Sequence, residues 1–372
     1  MVVIASEPLR QLLTDIFSAA GCSTAESERI GRYLVSANLS GHDSHGVVRT
    51  QRYVEWLQAG VQYADRDLTI VTETDSFAVI DGGYGMGQTV GPQAVQLGMD
   101  KALANGVSVI ALRHAGHLGR IGDWAEMAAD AGLVSIHFVN VAGGLLVAPF
   151  GGIDRRMATN PVCIGVPLEG RPPIVLDFAT SVVAEGKALV ALDGGASLPP
   201  GSLIGPDGEL TADPTVLYGE REPGKSPNPR RGKGALRAMG EHKGSGLAML
   251  CEVLAGALTG SGTTGPKPHR FCNGMLSIYL DPARFDSEHS VAREILEYVD
   301  WFTSARPAAP GGEVLVPGEP ERRSRARRLA EGVPLPEDTW LSIVAAAEAV
   351  GLAPERAAAA LEASSGALMQ PD

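Results

Sequence analysis

The spacing of apolar and polar positions divides the chain into stretches of different period. At the start, Ser6, then Pro8 as a favourable first-turn residue and Gly21 as a stop predict a helix over 7–20. Ser23 and Glu26 have the spacing of a capping box. Ile30, Tyr33, Leu34 and Ala37 then recur at helical intervals and form one buried stripe. A third helix carries Tyr53, Trp56 and Leu57 and stops at Gly60. Beyond residue 77 short apolar runs alternate with helical patterns. Strands are predicted at 77–81, 107–112, 133–139, 162–166, 174–178 and 275–280, and helices at 88–104, 119–131 and 246–258. The tail from about 287 reads as helical with a Pro/Gly-rich break at 306–320. Such alternation defines a mixed α/β class. The basic stretch 219–235 has almost nothing to bury and reads as a mobile surface loop.

Composition narrows the function. The 372 residues are 44% hydrophobic and 20% charged, as in ordinary globular enzymes. A net charge of −12 argues against a nucleic-acid partner, which needs a basic face. The local exception is Arg322, Arg323, Arg325, Arg327 and Arg328, read either as a solvated helix face or as a neighbour of cofactor phosphates. Cys22, Cys163, Cys251 and Cys272 form no CxxC pair. With no signal-like leader and no apolar run of membrane-spanning length, the expectation is a cytoplasmic protein without a membrane partner.

The densest chemistry is Gly41-His42-Asp43-Ser44-His45-Gly46-Val47-Val48-Arg49. Imidazole suits proton transfer near neutrality, and a guanidinium suits a two-point grip on a carboxylate. His45 and Arg49 are four apart and share a face if the segment is helical. Together they suggest chemistry on a small carboxylic acid. Three other readings compete. His42, Asp43 and His45 are metal-ligand types and would make a metal-dependent hydrolase. A Ser-His-Asp hydrolase is disfavoured, because adjacent Ser44 and His45 point apart in most backbones and no GxSxG elbow occurs. A purely structural His45 at a helix start is the plain alternative.

Gly85-x-Gly87-x-x-x-Gly91 follows a strand and opens a helix, yet it departs from the dinucleotide fingerprint, and the next strand ends in Arg113-His114 rather than an acid. A turn packed against other backbone is the preferred reading. Residues 113–122 follow a buried strand and open a helix, where free N–H groups bind anions such as pyrophosphate; His117 there faces a substrate carbonyl or a ribose, or is only a cap. Thr159-Asn160-Pro161 is a turn, and the strand end Val175-Leu176-Asp177-Phe178-Ala179 suits a ribose or nicotinamide amide as well as a cap. His242 and Lys243 stand at another helix start, and Gly318-Glu319-Pro320-Glu321 lies in a tight acidic turn.

Taken in order, the segments GHDSHGVVR (41–49), HLGRIGDWAE (117–126), VSIHFVNV (134–141), APFGG (148–152), TNP (159–161), LDFATSVVAEGK (176–187), GEHKGSGLA (240–248), LAGALTG (254–260) and PGEPE (317–321) resemble the malate/L-lactate dehydrogenase family of the non-Rossmann kind, across nearly the whole chain. The resemblance implies a sulfolactate dehydrogenase-like fold, with a catalytic-histidine region over 1–115, a non-Rossmann NAD(P)-binding domain over 116–285, and a C-terminal helical region over 286–372 that packs with the N-terminal part. It implies an oxidoreductase moving a hydride between NAD, with NADP as the alternative, and a 2-hydroxy acid/2-oxo acid pair. His45 would be the proton-transfer residue, with Ser44 and Arg49 beside it and His117 at the substrate. His45, Gly119, Arg120, Ile121, Thr159, Asn160, Val175, Leu176, Asp177, Phe178, Ala179, His242, Lys243, Asn273, Gly318, Glu319, Pro320 and Glu321 would contact the cofactor. No metal is expected, and a homodimer is. Two departures stand out: the basic loop 219–235 is long, and Lys187 sits where imine-reducing relatives carry an acid, which weighs against that reaction.

Overall fold

The structure, a computed structural model, describes residues 1–192, 196–220, 227–266, 269–288 and 290–368. Its centre is a seven-stranded sheet. In chain order the strands are β1 (Thr69–Glu73), β2 (Phe77–Asp81), β3 (Val107–Ala115), β4 (Val134–Ala142), β5 (Val162–Leu168), β6 (Arg171–Phe178) and β7 (Cys272–Leu280). In space they run β1-β2-β3-β7-β4-β5-β6. Only β2 and β3 pair in parallel, joined by the helix Gly87–Asn105; every other pair in this sheet is antiparallel. The late strand β7 lies between β3 and β4, with Met275 opposite both Leu112 and Val139. A doubly wound nucleotide fold needs successive parallel strands, so this topology is not one. Residue 115 ends β3 inside the sheet, so strands on both sides of that position share one core.

The turn 82–91 accordingly serves packing. A Cβ on Gly87 would lie 2.0 Å from the His117 carbonyl oxygen, and one on Gly91 2.8 Å from the Trp124 ring. Gly87 lets the helix Gly87–Asn105 touch the loop that carries His117, and Gly91 lets it pack on the following helix, Gly122–Asp130, at Trp124.

A second core joins the two ends of the chain. The helices Ser6–Ala19 and Thr24–Leu39 bury Leu9, Leu13, Ile16, Ile30 and Leu34 against Trp340 and Ile343 of the helix Glu337–Ala349. A ribbon pairing Val2–Ile4 with Val333–Leu335 ties the ends together. The capping box is half formed: Ser23 Oγ accepts from Glu26 N at 3.3 Å, but the Glu26 carboxylate turns away to Thr89 Oγ1 at 2.6 Å and Asp65 N at 2.7 Å. A third core surrounds a small sheet of Leu210–Thr211, Leu203–Ile204, Ala235–Arg237 and Val147–Ala148.

The later part of the basic loop is anchored. Residues 221–226 lie outside the described residues, but Arg155 binds the carbonyls of Pro229, Gly232 and Gly234 at 2.6–2.7 Å, anchoring the later part. The predicted tight turn at 317–321 is in part a helix: Glu319–Glu331 is helical, with Pro320 in its first turn where the missing N–H costs nothing. Among the described residues no helix is long and apolar enough to cross a membrane. All four cysteines are unpaired and buried.

Candidate active site

The His-rich segment is two short 3₁₀ turns, Asp43–His45 and Val47–Arg49, broken at Gly46. It is not one helix, so His45 and Arg49 do not meet through helical spacing. The break follows from Asn38 at the end of the preceding helix. Its Oδ1 accepts from Val47 N at 2.7 Å and its Nδ2 donates to Asp43 Oδ1 at 2.6 Å. A Cβ at position 46 would lie 2.0 Å from Asn38 Oδ1, so only glycine admits this bracket. Arg328 closes the other side with a two-point bond to Asp43, 2.6 and 3.1 Å. In the arginine-rich helix, Arg323 and Arg327 are exposed, while Arg322, Arg325 and Arg328 are partly buried and reach the protein. Arg325 binds Ser40 Oγ at 2.8 Å, Arg322 binds the Pro173 carbonyl at 2.9 Å, and Arg323 binds Glu319 at 2.6 Å.

Held this way, Ser44 Oγ and His45 Nδ1 are 3.0 Å apart. The expectation that adjacent Ser44 and His45 point apart is therefore corrected: the 3₁₀ turn folds the serine back over the ring. Asp43 is spent on Arg328 and Asn38, so no Ser-His-Asp relay forms. The three residues of the metal-hydrolase reading diverge: His42 pairs with Glu321 at 3.2 Å, Asp43 with Arg328, and His45 with Ser44. Among the described residues no three His, Cys, Asp or Glu side chains gather as a metal site.

Across the chain, His117 stacks on His45, ring centres 5.7 Å apart and planes within 6°. His117 Nδ1 lies 2.6 Å from Tyr53 Oη, which Gln88 Nε2 also binds at 3.2 Å. Trp56 and Phe271, stacked at 4.4 Å, continue this aromatic wall. The pair is hostile to charge. Burial, then His117 and Arg49, hold the His45 imidazole well below its usual value. Burial and Arg49 push His117 down to about 3. Both rings rest neutral.

Arg49 reaches back over the same turn. Its Nε donates to the Ser44 carbonyl at 2.6 Å and its Nη2 to Glu185 Oε2 at 3.1 Å. Tyr218 donates to Glu185 Oε1 at 2.6 Å. Burial opposes the Arg49 charge, but Glu185, together with Tyr53 and Tyr218, more than offsets it and raises the pKa, so the guanidinium stays protonated. The helix Glu185–Leu192 sits directly on the turn: a Cβ at Gly186 would lie 2.4 Å from Ser44 Cβ.

The remaining expected residues fall into separate groups. Asp177 Oδ2 accepts from Gly122 N at 2.7 Å, so the helix start read as an anion site already holds a carboxylate of the chain. Burial raises the Asp177 pKa in spite of His42 and Arg120 nearby. Arg120 is turned inward and buried against Asp123 at 2.9 Å and Glu126 at 2.7 Å, so this loop presents backbone rather than a guanidinium. In the same loop Gly119 takes a positive φ of 71° and Ile121 is buried. The turn at Gly318 lies over the end of β6, where Val175 N donates to the Pro317 carbonyl at 3.1 Å. Phe178 and Ala179 are half-buried there, and Leu176 is exposed. Asn273 is occupied with Leu118 N at 2.9 Å and the Asn140 carbonyl at 3.0 Å. Asn160, beside Thr159, donates to Glu252 at 2.9 Å, and its buried Oδ1 has no partner among the described residues. His242 and Lys243 are exposed, with Phe150 against the His242 ring.

Sequence reasoning missed Glu185, Gly186, Tyr218 and Gln88 as parts of this site, and named Arg328 only within the arginine cluster and not as the partner of Asp43. Only Glu185 and Gly186 lay inside a quoted segment (176–187). The others come together through tertiary contact alone.

With this geometry in place, similarity to known proteins defines the class. The malate/L-lactate dehydrogenase family matches residues 4–344, which makes the protein an oxidoreductase of the dehydrogenase type. The chain belongs to that family. It is 37% identical to hydroxycarboxylate dehydrogenase B of Escherichia coli (strain K12) over 94% of this chain and 95% of that protein. It is 35% identical to an L-lactate dehydrogenase of Cupriavidus necator over 86% and 89%. The solved sulfolactate dehydrogenase of Methanocaldococcus jannaschii superposes with a TM-score of 0.80 at 30% identity, covering 95% of this chain and 99% of that one.

Proposed function

We propose that this protein is an NAD-dependent dehydrogenase of 2-hydroxy acids, acting in reverse as a 2-oxo acid reductase. The observation that carries the reading is the neutral His45 ring, fixed by Ser44 at Nδ1 and stacked on His117, with the charged Arg49 of the next turn reaching back to the Ser44 carbonyl. Nε2 is then the atom of His45 that exchanges a proton with the substrate oxygen. In oxidation the neutral ring takes the hydroxyl proton; in reduction the imidazolium returns it to the carbonyl oxygen. Arg49 binds the substrate carboxylate, and His117 donates to or accepts from the reacting oxygen's neighbourhood while Tyr53 fixes its tautomer.

A nicotinamide cofactor, when bound, supplies or accepts the hydride. Residues 119–121, the β6 end 175–179 and the turn 318–321 fit such a group, because they offer backbone, a partly exposed strand end and a glycine at φ 92° in the turn. The buried Asn160 Oδ1 is an acceptor suited to an amide N–H. Four arginines near this region, Arg120, Arg322, Arg323 and Arg325, are already bound to protein groups, which favours NAD over the phosphorylated form. The reading includes a homodimer, supported by the exposed apolar side chains Met249, Leu250, Val253 and Leu258; light scattering in solution tests it.

The decisive assay is oxidation of NADH by a panel of 2-oxo acids. Turnover that is lost in His45→Asn by about a hundredfold or more supports the reading. No turnover with any member of the panel, using either reduced cofactor, refutes it.

A further inference from the structure

The proposed substrate-binding cation does not stand alone. Arg49 already has a carboxylate partner, Glu185, at 3.1 Å, and the Glu185 side chain is only 15% exposed. Tyr218 fixes the other Glu185 oxygen at 2.6 Å. The next cation acting on Glu185 is Arg52, itself paired with Glu55 at 3.5 Å. The two guanidiniums and two carboxylates therefore balance before any substrate arrives.

We propose that Glu185 is a specificity-determining residue that biases this site toward 2-oxo and 2-hydroxy monocarboxylates and against substrates with a second anionic group. This rests on the reading of Arg49 as the carboxylate-binding residue. The physical reason is charge. One substrate carboxylate can share Arg49 with Glu185. A second negative group on so small a molecule lies within a Debye length of Glu185, about 8–10 Å, whichever way it points, and meets repulsion that the already paired Arg49 and Arg52 do not offset. Selectivity built from a repulsive element is a common device. Were Glu185 only a brace for Arg49, a neutral amide would serve equally. Glutamine can accept from Arg49 through its carbonyl and donate to the Tyr218 oxygen through its amide.

The test compares two four-carbon substrates, 2-oxobutanoate and oxaloacetate, in wild type, Glu185→Gln and Glu185→Asp, by the ratio of their kcat/KM values. Wild type should prefer the monocarboxylate by about tenfold or more, and Glu185→Gln should reduce that preference by about tenfold, while Glu185→Asp keeps it within about threefold. In wild type alone the preference should also shrink as salt rises. A Glu185→Gln ratio equal to wild type in a protein of unchanged melting temperature overturns the proposal, as does a salt-independent wild-type ratio or a wild-type preference for oxaloacetate. Activity with some 2-oxo acid but an unchanged ratio sinks only this inference; no activity with any sinks the functional reading beneath it.

Discussion

Gly186→Ala isolates the contact between the catalytic turn and the helix Glu185–Leu192. On backbone grounds the change should help, since alanine is the better helix former by about 1 kcal/mol and position 186 has no positive φ. Packing reverses the sign. The new methyl would stand 2.4 Å from Ser44 Cβ and 2.8 Å from Ser44 Cα. Carbon atoms pack at roughly 3.5–4.0 Å, so the helix and the turn must part by about 1 Å or more. Overpacking of this kind costs about 1–3 kcal/mol, which leaves the protein folded. The catalytic cost is larger, because Ser44 holds Nδ1 of His45 and its carbonyl holds Arg49. A misplacement of about 1 Å can lower turnover by about a hundredfold. Steady-state kinetics should therefore show a kcat loss of that order, with a melting temperature lowered by a few degrees. Gly246→Ala, where the added methyl meets nothing within 4 Å, should instead leave stability equal or slightly raised. Turnover of Gly186→Ala within twofold of wild type, with an unchanged melting temperature, would refute the argument that this contact sets the turn.

Other expectations follow from the same groups. Arg328→Met removes the two-point bond to Asp43 and the bond to the Asn38 carbonyl but leaves the Asn38 side-chain bonds, so kcat should fall on the order of tenfold while KM for the 2-oxo acid changes little; a wild-type kcat would show that the Asn38 side chain suffices. The depressed His45 pKa means that the base is already free at neutrality: kcat/KM for hydroxy-acid oxidation should be flat there and decline only in acid, whereas reduction should lose about tenfold per pH unit above that pKa. Oxidation still rising through neutral pH would contradict it. His137, fully buried between Ser135 and Ser277, has its pKa pushed down to about 3 by burial. The unfolded chain takes up that proton below about pH 6.5, so stability is present above this value and is lost progressively as pH falls toward 3. Acid titration of the unfolding free energy should be shallower in His137→Gln, and an identical slope would show that another group dominates.

Most regular elements were legible from local sequence. The stripe Ile30, Tyr33, Leu34 and Ala37 and the apolar runs of β2, β3 and β7 depend on periodicity, which a chain carries wherever it is placed. β1 was not assigned from sequence: its four β-branched residues favour a strand, but all five residues are exposed, so there is no alternation of buried and exposed positions, and pairing with β2 holds it in the sheet. The departures of residues 85–91 from the dinucleotide fingerprint were visible too, and so was the chemistry of residues 41–49. What the sequence could not decide is who meets whom. Insertion of β7 between β3 and β4 joins segments far apart in the chain, as the Asn273–Asn140 bond does over a separation of 133 residues. The stacking of His117 on His45, the clamp of Arg328 on Asp43, the seat of Glu185 on Arg49 and the inward turn of Arg120 all depend on such closures. Residue type and spacing determine which helices and strands form and which side chains carry protons or charge. The partner that tunes each charge is chosen only when the core brings distant segments together, since Coulomb and desolvation energies depend on neighbours in space and not on position along the chain.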